Sequence, residues 1–356
     1  MARQNNHNVN KGGLSPLAGI VASLGAAVGG WMGYSALLVN HHVSLPAAID
    51  AERKQFLSKE SGLLSYYADT SAEGTPLVLI HSINAAASSF EMRPLFNHFR
   101  AERPVYALDL PGFGFSERSD RPYSPHLYAQ AILDFLAMQV RQPADVVALS
   151  LGSEFVARAA MQLPGIFHSI TMISPSGFTL RPSALSAQGV SMNQTSNLAY
   201  NLLSFPLWSQ AFYDLLATPP SIHYFLQKSF VGTVFPALAD YSYATAHQPG
   251  ARYAPLFFVS GKLFTPDIRE TIYDTLKMPV LVIYDRDPYV RFDALESFVQ
   301  ARANWYSSRI VPSRGLPQFE HLTDTVQALV DFWAAQEPLR PVETARLSGW
   351  NAQDTQ

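Results

Sequence analysis

Cysteine is absent from this 356-residue chain. Its absence excludes disulfides, thiol catalysis and thiolate metal sites, and leaves the compartment open. Charge is also sparse. Only 15% of residues are Asp, Glu, Lys or Arg, with a formal net charge of -3, so no nucleic-acid footprint is expected. The ten histidines form no H-E-x-x-H pair or other zinc spacing, and neither a metal nor a cofactor is expected. No internal repeat is visible. At 48% hydrophobic content, a chain of this length supports one large core, or a core with a lid.

A more local absence lies near the N-terminus, where no residue from Leu14 to Asn40 is charged. The run LAGIVASLGAAVGGWMGYSALLV exceeds the roughly 20 residues that a helix needs to cross a bilayer core. Gly25, Gly29 and Gly33 lie four apart on one helix face, where another helix could approach closely. The expectation is a single transmembrane helix over 14–40, after a disordered stretch over 1–13 and before a linker over 41–61. Arg3 and Lys11 precede the helix without an acidic residue. Arg53, Lys54 and Lys59 follow it, mixed with Asp50, Glu52 and Glu60. This bias favours a cytoplasmic N-terminus and a soluble domain on the outer or periplasmic side.

What is present is a set of short apolar strands, each followed by a helical pattern. Leu77–Ile80, Val105–Leu108 and the run ending at Leu149 are separated by such patterns, which predicts a parallel sheet with right-handed crossovers. In VVALSLGSEF the apolar run ends abruptly at Ser150, and a helix-compatible stretch begins after Gly152. A serine on such a strand–turn–helix tip projects its hydroxyl away from the sheet, and the following backbone N–H groups point at whatever it attacks. Ala148 stands where the first glycine of G-x-S-x-G usually lies.

The elbow, the segment DLPGFGFS (109–116) and the histidine-led loop IHSINAAAS (80–88) together resemble the α/β-hydrolase fold superfamily, serine-nucleophile and cap-domain type. The resemblance spans roughly residues 62 to 335. It implies an α/β fold with a mostly parallel central sheet. The core would be 62–177 and 274–336, with a helical cap at 178–273 and a flexible tail at 337–356. The cap segment is rich in aromatics, among them Tyr200, Phe205, Trp208, Phe212 and Tyr213.

The resemblance also assigns roles. Ser150 is the nucleophile, and serine rather than aspartate disfavours dehalogenase and epoxide-hydrolase chemistry. The backbone N–H groups of Leu151 and Ile83 form the oxyanion hole, Asn84 contacts substrate, and His81 holds the loop. Asp287, before Pro288, is the acid, with Asp285 as runner-up. The family pattern GHxPHxE meets SRGLPQFEHLTD here. Gly315 stands in the catalytic histidine column and Gln318 in the second histidine column. His321 is the nearby histidine and the base candidate, with His223 and His247 of the cap as alternatives.

These expectations amount to a membrane-anchored serine hydrolase acting on a small apolar acyl substrate, without nucleic acid. Two alternatives stay open. One is a catalytically weak or inactive hydrolase-fold binding or assembly protein. The other is an acyltransferase or haloperoxidase-like reaction on the same fold.

Overall fold

The computed structural model describes residues 16–179 and 192–336. The expected disordered start (1–13) and flexible tail (337–356) lie outside the described residues. In chain order the strands are β1 (Glu52–Ser58), β2 (Gly62–Asp69), β3 (Leu77–Ile80), β4 (Val105–Leu108), β5 (Ala144–Leu149), β6 (Phe167–Ile173), β7 (Val280–Tyr284) and β8 (Trp305–Arg309). They form one eight-stranded sheet in the order β1-β2-β4-β3-β5-β6-β7-β8. β1 pairs antiparallel with β2, and β2 with β4; every other neighbour is parallel. Parallel strands are covered on both faces, and β3, β4 and β5 accordingly consist of buried residues throughout.

The helices are α1 (Pro16–Leu38), α2 (Arg93–Phe99), α3 (Pro125–Phe135), α4 (Gly152–Gln162), α5 (Met192–Leu203), α6 (Ser209–Leu216), α7 (Pro219–Lys228), α8 (Pro236–Ala246), α9 (Tyr253–Val259), α10 (Ile268–Thr271), α11 (Leu295–Gln300), α12 (Pro317–Glu320) and α13 (Leu322–Ala334). Helices α3, α4 and α11 share one core layer, in which Tyr128 stacks on Phe155 at 4.6 Å. Helices α2 and α13 share the other. In chain order, helices α5 to α10 lie between β6 and β7.

Two expectations at the N-terminal side change. The stretch 41–61, read as a linker, contains β1, whose outer residues are charged and whose Phe56 and Ser58 are buried. An edge strand with one solvated face reads as polar linker because only alternate residues pack. The uncharged helix forms, but among the described residues no helix is long and apolar enough to cross a membrane. Its composition explains this. Alanine and glycine dominate, and Gly25, Gly29 and Gly33 each face open space. Its C-terminal end packs on α6, where Ser35 donates to Asp214 at 2.5 Å.

Candidate active site

Strand β5 ends at Leu149, and Ser150 then takes a left-handed backbone conformation, with φ 51°. A non-glycine residue there costs about 1–3 kcal/mol and persists only where its surroundings fix it. The fixing contacts are visible. Ser150 N donates to Ile173 O at 2.8 Å, and Ser150 O accepts from Ser153 N at 3.0 Å. At Gly152 an added Cβ would lie 2.5 Å from His81 O, so only glycine lets α4 come this close to the end of β3. That approach brings the start of α4 beside the loop after β3.

The two expected oxyanion donors share a telling property. Neither Ile83 N–H nor Leu151 N–H donates to any group among the described residues, although both residues are buried. Buried N–H groups without partners are rare in native proteins. The loop that carries Ile83 is held from below. Ser82, in place of the usual glycine, donates its N–H to Glu91 Oε2 at 2.8 Å and its hydroxyl to Oε1 at 2.9 Å. Asn84 Nδ2 donates to Ser82 Oγ and Glu91 Oε1, both at 2.9 Å, and its Oδ1 accepts from Ala86 N at 2.7 Å. Asn84 is thus engaged within the loop. His81 is fully buried, accepting from Leu110 N at Nε2 and bonding Ser82 O through Nδ1. Burial depresses its pKa, so the ring is a neutral strut.

On the acid side, Asp287 follows β7. Its Oδ1 accepts from Tyr289 N at 2.7 Å and Val290 N at 3.1 Å, and its Oδ2 from Ser174 Oγ at 2.7 Å. Burial raises its pKa, against the lowering effect of those three donors. Asp285, the runner-up, is paired instead with Arg309 Nε at 2.9 Å and Ser313 N at 3.0 Å. Gly315 lies directly beside Asp287. Its φ is 114°, and a Cβ there would stand 2.7 Å from Asp287 Oδ2. The loop therefore presses bare backbone against the carboxylate oxygen that an imidazole would need.

His321 is not joined to this pair. It lies between α12 and α13, with Nδ1 3.6 Å from Asp324 Oδ2. It lines a cavity of about 400 Å³ at the seam of cap and core, with Phe230, Phe235, Phe319 and Glu320. No hydrogen bond of its ring reaches Asp287 or Ser150, and Ser150 Oγ has no hydrogen-bond partner among the described residues. The cap alternatives show no hydrogen bond to Asp287 or Ser150 among the described residues: His223 is exposed, and buried His247 bonds Tyr243 O through Nδ1 at 2.8 Å.

Several residues of this frame escape sequence reasoning. Glu91 is a buried carboxylate in an otherwise ordinary amphipathic stretch. Ser174, with φ 49°, fills the hydrogen-bonding place on Asp287 that an imidazole would take. Gln318 is fully buried and donates to Glu91 O at 3.1 Å, tying the last loop to the oxyanion loop. Glu154 on α4 accepts from Thr265 N at 2.8 Å and from Ser176 Oγ, and burial raises its pKa. The cap is fastened over the site: Tyr213 Oη donates to Ala85 O at 2.7 Å, and Arg118 donates to Thr245 O at 2.6 Å. Among the described residues no group of three or more His, Cys, Asp or Glu could hold a metal ion.

The uncharacterized hydrolase YugF of Bacillus subtilis is 34% identical over 107 residues, 30% of this chain and 38% of that protein. Human 1-acylglycerol-3-phosphate O-acyltransferase ABHD5 is 28% identical over 112 residues, 30% of this chain and 32% of that protein. The chain thus spans about a third of the length of these curated relatives. A serine hydrolase involved in carbazole degradation, the CarC enzyme, superposes with a TM-score of 0.62 at 16% identity, covering 80% of this chain and 100% of that one. Residues 77–328, from β3 into α13, match the description of the Alpha/beta hydrolase family. The chain belongs to the alpha/beta hydrolase family.

Proposed function

We propose that the chain is a serine hydrolase in which Ser150 forms an acyl-enzyme with an apolar ester. The observation that carries this reading is Ser150, held at φ 51°, together with the N–H groups of two buried residues, Ile83 and Leu151, that donate to no group among the described residues. Such donors stabilise the oxyanion of a tetrahedral intermediate and cost no reorganisation when charge develops. Ser150 Oγ bonds to the acyl carbon, the ester C–O bond breaks, and the hydroxyl proton ends on the leaving alcohol. Water then cleaves the acyl–Oγ bond and returns a proton to Ser150. Buried Tyr213, Ala217, Ala246 and Ala251 of the cap, packed on Ala85 and Ala86, support an apolar acyl chain.

In this reading neither Asp287 nor His321 activates the nucleophile. Asp287 is an electrostatic and structural member of the last loop, bonded by Ser174. General-base assistance typically contributes about 10²–10⁴-fold, so a slow acylation is expected. The test is intact-mass detection of an acyl adduct after incubation with p-nitrophenyl esters of increasing chain length. An adduct on the parent that Ser150→Ala lacks is the expected result.

Gly315 against Asp287 favours one second reading, a hydrolase-fold protein that binds an acyl ligand and does not turn it over. A folded parent that binds such esters and yields no adduct at any pH would select it. If the adduct forms and an added alcohol captures the acyl group faster than water does, acyl transfer replaces hydrolysis.

A further inference from the structure

The cap surface is poor in charge. Between residues 192 and 235 the charged residues are Asp214 and Lys228. Asp214 is withdrawn from solvent. It accepts from Ser35 Oγ at 2.5 Å, from Gln210 Nε2 at 2.8 Å, and is paired with His41 Nε2 at 3.0 Å. The same contacts fasten the end of α1 to α6, so the uncharged α1 and the cap present one surface. That surface is apolar. Leu37 and Leu38 of α1 are 84% and 72% exposed, and Leu198 and Leu202 of α5 are 72% and 60% exposed. Phe205, Leu207, Leu215, Tyr224 and Phe225 are exposed as well. Soluble monomers rarely leave so extended an apolar surface bare.

We infer that α1 and the α5–α7 face of the cap lie on a lipid bilayer surface, and that none of the described helices crosses it. The charge pattern selects lipid over a protein partner. With Asp214 buried, the face from α5 to α7 offers no exposed carboxylate to meet anionic headgroups. Its one cation, Lys228 at the end of α7, lies 4.3 Å from the Tyr224 ring centroid, beside Phe225. An aromatic pair with a lysine whose stem runs along it is the residue set that settles at a headgroup boundary. The exposed leucines are spread over α1, α5 and α6, with Leu207 between α5 and α6, and are not gathered on one helix as a single peptide ligand would need. This placement is independent of the chemistry at Ser150.

The test is co-sedimentation of the full chain with large unilamellar vesicles of phosphatidylcholine containing phosphatidylglycerol. The parent is expected to bind. The double variant Leu198→Asp with Leu202→Asp is expected to bind at least tenfold more weakly while keeping its melting temperature. Leu57→Asp, at an equally exposed apolar position on β1, is expected to bind like the parent. Lys228→Gln should weaken binding about fivefold, and only where phosphatidylglycerol is present. Ser150→Ala should bind like the parent, which separates this inference from the proposed chemistry. Binding unchanged in the α5 double variant would overturn the inference. So would a parent that ignores vesicles and instead dimerises through these leucines, or loss of binding only in Leu37→Asp with Leu38→Asp.

Discussion

The two halves of the site differ in what their hydrogen bonds leave unused. Around Ser150 the supports are saturated: Glu91 accepts from Ser82 and Asn84, His81 bridges Ser82 and Leu110, and Ser150 N is fixed to Ile173 O. The groups left over there are those that acyl transfer needs, a hydroxyl and two N–H donors. Around Asp287 the reverse holds. Its oxygens are taken by Ser174, Tyr289 and Val290, and Gly315 backbone occupies the flank on which an imidazole would dock. On the proposed reading, the fold keeps the electrostatic half of a catalytic site while its proton-transfer half is rebuilt. The electrostatic half is commonly the larger part of the rate enhancement.

The strongest way to break this contrast is at the nucleophile. Ser150→Ala should abolish labelling by a fluorophosphonate, a loss of at least about 10³-fold in a gel-based rate measurement. Labelling that survives would remove Ser150 from the reaction. Next is the support beneath the oxyanion loop. Glu91→Ala strands the Ser82 and Asn84 donors, and should slow labelling about 10²-fold while lowering stability by about 1–3 kcal/mol in a denaturant melt. If labelling is unchanged, the loop does not need its buried carboxylate.

Gly315→His restores the residue type of the usual pattern but not its geometry. With φ at 114° and a Cβ 2.7 Å from Asp287 Oδ2, the variant should lose about 1–3 kcal/mol and gain no rate. A large gain would mean that the loop readily rearranges. The smallest effect is expected at Asp287. Burial raises its pKa, so between the ordinary carboxylate value and the raised one the folded state holds a proton that the unfolded state has released. Stability from this group is therefore full below the ordinary carboxylate value, and is lost as pH rises through the raised one. Asp287→Asn should flatten that decline in melting temperature across the acid range. An unchanged profile would mean that Asp287 is ordinarily acidic in the fold.

Much of the frame was legible in the sequence because it rests on local signals. The apolar run ending at Ser150, Gly152 behind it, and Asp287 before Pro288 are each confined to a few adjacent residues. Glu91 and Ser174 were not legible, since their roles come from contacts across the sheet end, and a glutamate in a helical stretch reads as surface. His321 looked close enough in sequence to serve. However, the turn of α12 between Gly315 and His321 carries it toward Asp324 and the cap seam. The N-terminal helix was legible as a helix from its lack of charge. Its contact with α6 depends on Asp214, more than 170 residues away in sequence.

In the proposed mechanism Ser150 reacts through its placement and its oxyanion donors, without an imidazole base. The most direct test is the pH dependence of the fluorophosphonate labelling rate, measured side by side for the parent and His321→Ala. A free imidazole titrates near about 6.5, so a histidine base imposes a rise and then a plateau around that value. The expected result is a rate that climbs steadily with pH, with no such plateau, and two superimposable profiles. A plateau that disappears in His321→Ala would overturn the base-free mechanism, and would show that the last loop swings His321 to the nucleophile.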